Sequence, residues 1–274
     1  MLRYSNFRRV AICAFSVIGL TFVFTIANAA QSQRVLIGYV GQPGSSSENG
    51  VKRGIIEANL QGEFLGVEYR LVPLDTILTL EDGRPRVIIV ATADEDVVRI
   101  ADKSRDIPVI NIKSTSDLLR AMCLPNLFHT MPSQQMFSDA LAQWRTKHSS
   151  SAATASAWHR KFKKYAASQL NIRYHETFAT DMDDEAWAGW AAAKLVADTL
   201  IASPTLENEA LLRELKTNLA FDGQKGIDMR FRETGQLAQP ILLIEDDEIK
   251  GEAPVRGVVD ITDLGSLGET HCPK

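Results

Sequence analysis

Phe221-Asp222-Gly223-Gln224-Lys225-Gly226-Ile227-Asp228-Met229-Arg230-Phe231-Arg232-Glu233-Thr234-Gly235-Gln236 is a stretch ordered by its glycines. Gly223 and Gly226 stand three apart, an apolar pattern runs to Phe231, and Gly235-Gln236 follows. The spacing predicts two tight turns bracketing a short strand, because glycine reaches positive φ without steric cost. A further strand is expected from Gln239 to Ile244.

Upstream, the pattern changes to strands alternating with helices. Val35–Val40 is a compact apolar run ended by Gly41-Gln42-Pro43-Gly44 and three serines, which reads as a buried strand and a loop. Helical spacing follows over Asn49–Gln61, then strand patterns at Glu68–Leu74, Arg86–Ala91 and Pro108–Ile112. Asp94–Lys103 reads as a helix with an acidic first turn, Ser116–Met122 as a short one, and Gln134–Lys147 as a longer one. Alternation of this kind predicts an α/β fold with a doubly wound parallel sheet. Residues 148–157, small, polar and serine-rich, read as a linker. Helices are expected beyond it at Trp158–Ala167, Glu185–Ile201 and Glu207–Asn218.

The N-terminus carries Arg3, Arg8 and Arg9 before an uncharged run, Val10–Ala27, with Ala27-Asn28-Ala29 as a small-residue cleavage signature. This predicts a cleaved secretory signal over 1–29 and export to the periplasm; a transmembrane anchor is the alternative. About 245 residues remain, with balanced charge and an acidic pI that argue against a nucleic-acid surface. No later run is apolar enough to span a membrane. Cys123 and Cys272 are the two cysteines beyond the signal, and an oxidising compartment predicts a disulfide between them, two free thiols being the alternative.

The opening stretch resembles the closing motif of type I periplasmic solute-binding proteins of ABC importers. Gly50-x-x-x-Gly54-Ile55-Ile56-Glu57-Ala58-Asn59 resembles their first helix, and Asn126–Ser133 with Asp139–Gln143 the exit from their first lobe. Phe128-His129-Thr130-Met131-Pro132-Ser133, Ala140-Leu141-Ala142-Gln143 and Gln239-Pro240-Ile241-Leu242-Leu243 are most similar to members associated with pyrroloquinoline-quinone-dependent alcohol dehydrogenase systems. The resemblance implies a first lobe over 30–147 and a reduced, mostly helical second part over 158–274. The serine-alanine stretch stands where several βα units of the second lobe are expected, roughly 100 residues at ~30 per unit. It further implies a non-enzymatic solute carrier without cofactor, partnered by a small-molecule solute and an ABC permease. A periplasmic quinoprotein dehydrogenase is the other partner it suggests. The alternative is an accessory module of that dehydrogenase that no longer binds solute.

Open parallel sheets bind ligands at the carboxyl ends of their strands. Here these ends supply Gln42, Thr92, Asp94, Ser114 and Thr115 as candidate ligand contacts, although Asp94 and Ser116 are also natural helix caps. The loop at Gly41–Ser46 lacks the lysine of a nucleotide loop. The five histidines lack metal-ligand spacing, and Asp181–Glu185 lacks the glycine and spacing of a calcium loop, so an acidic helix start is expected there. Trp158, Trp187 and Trp190 read as core. A Gly-x-Ser-x-Gly elbow is absent, which argues against a hydrolase.

Overall fold

The computed structural model describes residues 33–75, 83–202 and 207–273. The expected signal segment, 1–29, lies outside them. The first described element is β1 (Gln33–Gly41), nine residues buried without interruption from Ile37 to Val40. Then follow α1 (Ser46–Gly62), β2 (Val67–Pro73), β3 (Val87–Ala91), α2 (Asp94–Lys103), β4 (Val109–Asn111), α3 (Asp117–Ala121), β5 (Leu127–His129) and α4 (Gln134–Lys147). The five strands form one parallel sheet in the order β2-β1-β3-β4-β5, the doubly wound arrangement expected.

The β-branched run of β3 is continuous because both sheet faces are covered. Val87, Ile89 and Ala91 face one core, with Ile37, Tyr39, α1 and the later helix α6 (Asp184–Ala202). Ile88 and Val90 face a second, smaller core with Val97, Ile100 and Ala101 of α2. Side chains alternate across a strand, so one run serves two layers.

Beyond α4 the chain adds β6 (Thr154–Ser156), α5 (Ala167–Phe178), α6, α7 (Asn208–Thr217), β7 (Ile241–Glu245) and β8 (Glu248–Ala253). β6, β7 and β8 make an antiparallel three-stranded sheet. The 148–157 stretch, read from sequence as a linker, therefore contains a paired strand. Its polar groups are fixed too: Ser151 Oγ and the Ala152 amide donate to the Glu245 carboxylate, and Trp144 Nε1 donates to Ser151 Oγ.

The helix expected at Trp158–Ala167 does not form. Trp158 N donates to the Asp184 carboxylate, and the Asn171 side chain donates to the carbonyls of His159, Arg160 and Phe162. Backbone groups satisfied by distant side chains need no helix. Helix α5 starts instead at Ala167, after Tyr165 and Ala166 at φ 52 and 66.

The turns of the glycine stretch take the geometry expected of them. Gly223, Gly226 and Gly235 lie at φ 54, 72 and 77. Between them the chain pairs only through isolated bridges, Phe221 with Met229 and Phe231 with Leu237. Cys123 and Cys272 are joined by a disulfide, which ties the C-terminal tail beside α3. Among the described residues no helix is long and apolar enough to cross a membrane.

Helix α6 is apolar on almost every side, and its Trp187 and Trp190 are core residues, with Trp158 stacked on Trp187 at 5.9 Å. Its seam with α1 is made by glycines. A Cβ at Gly50 would fall 2.0 Å from the Ala186 carbonyl oxygen, and one at Gly189 would fall 2.5 Å from that of Ser47. We expect Gly50→Ala and Gly189→Ala each to lower stability by about 1–3 kcal/mol or more in urea unfolding. Ser138→Ala, on the exposed face of α4, should stay within about 0.5 kcal/mol of the parent.

Candidate functional site at the carboxyl ends of the parallel strands

Strand order reverses direction at β1 and β3, so a crevice opens above their carboxyl ends. The register Gly41↔Ala91 places Gln42 beside Thr92 at neighbouring strand ends. Thr92 Oγ1 is buried and has no hydrogen-bond partner. Asp94 and Ser114 are brought together, the serine hydroxyl donating to the carboxylate. Thr115 contributes its carbonyl, which accepts from Gln134 N at 2.8 Å. Gln42 is exposed, and its carbonyl accepts from Ser45 N at 3.3 Å.

Neither Asp94 nor Ser116 caps a helix with its side chain. The N-cap of α2 is Ala93, and Ser116 at the N-cap of α3 makes no side-chain capping bond. Asp94 instead stands in the first turn of α2 with Glu95 and Asp96, where negative charge favours the helix dipole.

The loop carrying Ser114 is held by buried polar side chains. Asn111 Oδ1 accepts from the amides of Lys113 and Ser114, while its Nδ2 donates to the Ser114 carbonyl. These three bonds fix the amide orientation, so Nδ2 is also the donor toward His129 Nδ1 at 3.1 Å. The imidazole proton therefore sits on Nε2, which is buried and unpartnered. Arg120 closes the other side. Its Nη1 donates to the carbonyls of Ser114 and Ser116, its Nη2 to Met131, and its Nε to Gln236. Burial lowers the Arg120 pKa to about 9, against the pull of Asp117 and Asp94.

Residues that sequence reasoning left out of the site complete it. Ser45 caps α1, its Oγ accepting from Glu48 N, and lies 3.2 Å from the Tyr39 hydroxyl. Ser46 and Ser47, in the first turn of α1, donate to the carboxylates of Asp183 and Glu185. Lys113 Nζ lies 3.6 Å from Glu185. Asp183 also accepts from Ala186 N, and α6 begins beside it, so 181–185 is an acidic helix start. The signal for these residues was the serine run and the acidic run. Their pairing across 137 and 138 positions had no local trace.

Asp183 and Glu185 also line an adjoining cavity of about 430 Å³, walled by Ser156, Trp158, His159 and Arg160. Carboxylates crowd this region, so it favours neutral or cationic groups able to donate hydrogen bonds. No cluster of His, Cys, Asp and Glu suited to a metal ion occurs among the described residues.

This fold is similar to that of solved periplasmic binding proteins. The leucine-binding protein LivK of Thermotoga maritima matches with TM-score 0.61 and 13% identity, over 80% of this chain and 98% of that one. The branched-chain amino acid transporter substrate-binding protein LivJ of Streptococcus pneumoniae, solved with isoleucine, matches with TM-score 0.64 and 10% identity, over 80% and 99%. A branched-chain amino acid ABC transporter periplasmic ligand-binding protein of Burkholderia xenovorans gives TM-score 0.67 at 10% identity, over 80% and 95%. No family model matches the chain, and no curated protein does. At these identities the likeness defines the fold.

Burial, aided by Arg120, holds His129 well below its ordinary 6.5. Folded His129 stays neutral, whereas unfolded His129 gains a proton below about pH 6.5. Stability should therefore fall as pH drops through the window below 6.5, by at most about 1.4 kcal/mol per pH unit from this residue. Urea unfolding between pH 5 and 6.5 should show a shallower pH slope for His129→Gln than for the parent.

Proposed function

We propose that this chain is a non-enzymatic, periplasmic solute-binding component of an ABC import system. It takes a small polar solute in the crevice between the ends of β1 and β3. The observation that carries this reading is the buried, unpartnered Thr92 hydroxyl beside the Asp94–Ser114 pair at the strand-order reversal. A buried hydroxyl without a partner costs about 1–3 kcal/mol, which a ligand group can recover. Gln42 and Thr115 stand at its rim. The likeness to proteins whose names record amino-acid binding and ABC transport agrees with this class of function. The acidic surroundings turn the preference toward solutes with a donor or cationic group.

The finer parts of the reading rest on sequence. The stretches at 128–133, 140–143 and 239–243 support a link to quinoprotein alcohol oxidation, with a periplasmic quinoprotein dehydrogenase as a functional neighbour. A shortened second lobe is supported by the size of the second sheet, three strands against five. The N-terminal pattern supports export through a cleaved signal.

One observation favours a second reading, an accessory module that no longer carries solute. The first turn of α1, near the crevice, already holds the chain's own Asp183 and Glu185 carboxylates through the Ser46 and Ser47 hydroxyls.

Thermal unfolding of residues 30–274 with amino acids, short organic acids, alcohols, aldehydes and pyrroloquinoline quinone separates the two. A solute at 100 times its Kd adds ~2.7 kcal/mol, a Tm rise of roughly 5–11 °C. Asp94→Asn and Ser114→Ala should abolish that rise. No shift across the panel from a cooperatively unfolding protein would reject solute carriage. Capture of the dehydrogenase would then support the accessory reading.

A further inference from the structure

Away from the crevice, a cavity of about 360 Å³ opens between the 223–227 turn, the end of β8 and the strained turn before α5. Three features of its walls suggest a built site. The first is charge. Lys164 pairs with Glu252, so the two cancel. Arg256 lines the same cavity and forms no side-chain hydrogen bond or ion pair among the described residues, its backbone carbonyl alone accepting from Lys147. The wall thus carries one guanidinium without an ion-pair partner, and Glu252 opposes a multiply charged anion.

The second feature is the apolar wall. The Tyr165 ring lies so close over Gly226 that a Cβ there would fall 2.3 Å from it. Tyr165 and Ala166 are both left-handed non-glycine residues, a strained backbone conformation. That strain presents the ring, half exposed, at the cavity mouth beside Ile227, Pro240 and Ile261. The third is the floor. Lys225 is buried, donates to Gln239 Oε1 at 2.8 Å and the Pro240 carbonyl at 3.0 Å, and lies 3.8 Å from the Trp187 ring centroid. Burial lowers its pKa to about 7, so an anion nearby favours its charged form.

We propose that this cavity binds a small monocarboxylate with an apolar body, its carboxylate on Arg256 and its body against Tyr165 and Pro240. A guanidinium fork suits a carboxylate, and Glu252 on the same wall disfavours a second negative group such as that of a phosphate or dicarboxylate. The site is separate from the strand-end crevice and does not rest on solute carriage there.

Titration calorimetry with benzoate and hexanoate, against benzamide and hexanamide, tests this. Both acids should bind and both amides should not. Arg256→Gln should weaken the acids about tenfold or more. Arg99→Gln, the same charge change on the outer face of α2, should leave their affinity intact. Gly226→Ala should also weaken them, by displacing the Tyr165 ring; circular dichroism establishes whether that variant is folded, and the exposed Arg256 variant decides the question if it is not. Equal binding of acids and amides, no binding at millimolar acid, or unchanged affinity in Arg256→Gln would overturn the proposal.

Discussion

The seam between α1 and α6 is the constraint on which the rest depends. Gly50 and Gly54 on one helix and Gly189 on the other remove the side chains that would hold the backbones apart. Each glycine inside a helix costs up to about 1 kcal/mol of conformational entropy relative to alanine. The close approach offsets this, because it lets Ala186, Trp190 and Ala193 cover Val51, Ile55 and the sheet in one core. The seam is also locked at its edges: Trp190 Nε1 donates to Glu57, which pairs with Arg53 and Arg173. It joins a helix near the start of the described chain to one after β6. One face of the parallel sheet is thus finished by residues that follow the second sheet's first strand.

That dependence explains which elements could be read from sequence. β1, β3, α2 and α4 are specified locally. β-branched runs with both faces buried look the same in any register, and Ser45 and Ser133 cap their helices through near neighbours. Residues 158–166 are the opposite case. Their spacing suggests a helix, yet Asp184 and Asn171 satisfy their backbone from outside. Residues 148–157 look featureless because β6 draws its order from Glu245 and from pairing with β7, far along the chain.

The candidate site divides along the same line. Asp94 and Ser114 follow strands whose ends are legible, so their meeting follows from the sheet order alone. Thr92 was legible by position, but its lack of a partner was not, since an empty donor leaves no pattern in a sequence. Asp183 and Glu185 were visible as charge and as a helix start. Their docking on Ser46 and Ser47 is a product of the glycine seam, which brings the N-terminal turns of α1 and α6 side by side.

The seam therefore does more than close the core. By placing two carboxylates on the first turn of α1, it fills the amide- and hydroxyl-rich position where a parallel α/β fold would otherwise attract an anion. An anionic solute entering the crevice must displace groups that are tethered and already hydrogen-bonded, and it meets Asp94, Glu95 and Asp96 on α2 as well. On the proposed reading, a neutral or cationic solute would meet no such competition at Thr92 and Asp94 and would leave the seam undisturbed. Under the proposed function, selectivity in this crevice would thus begin with helix packing, before any side chain touches a ligand.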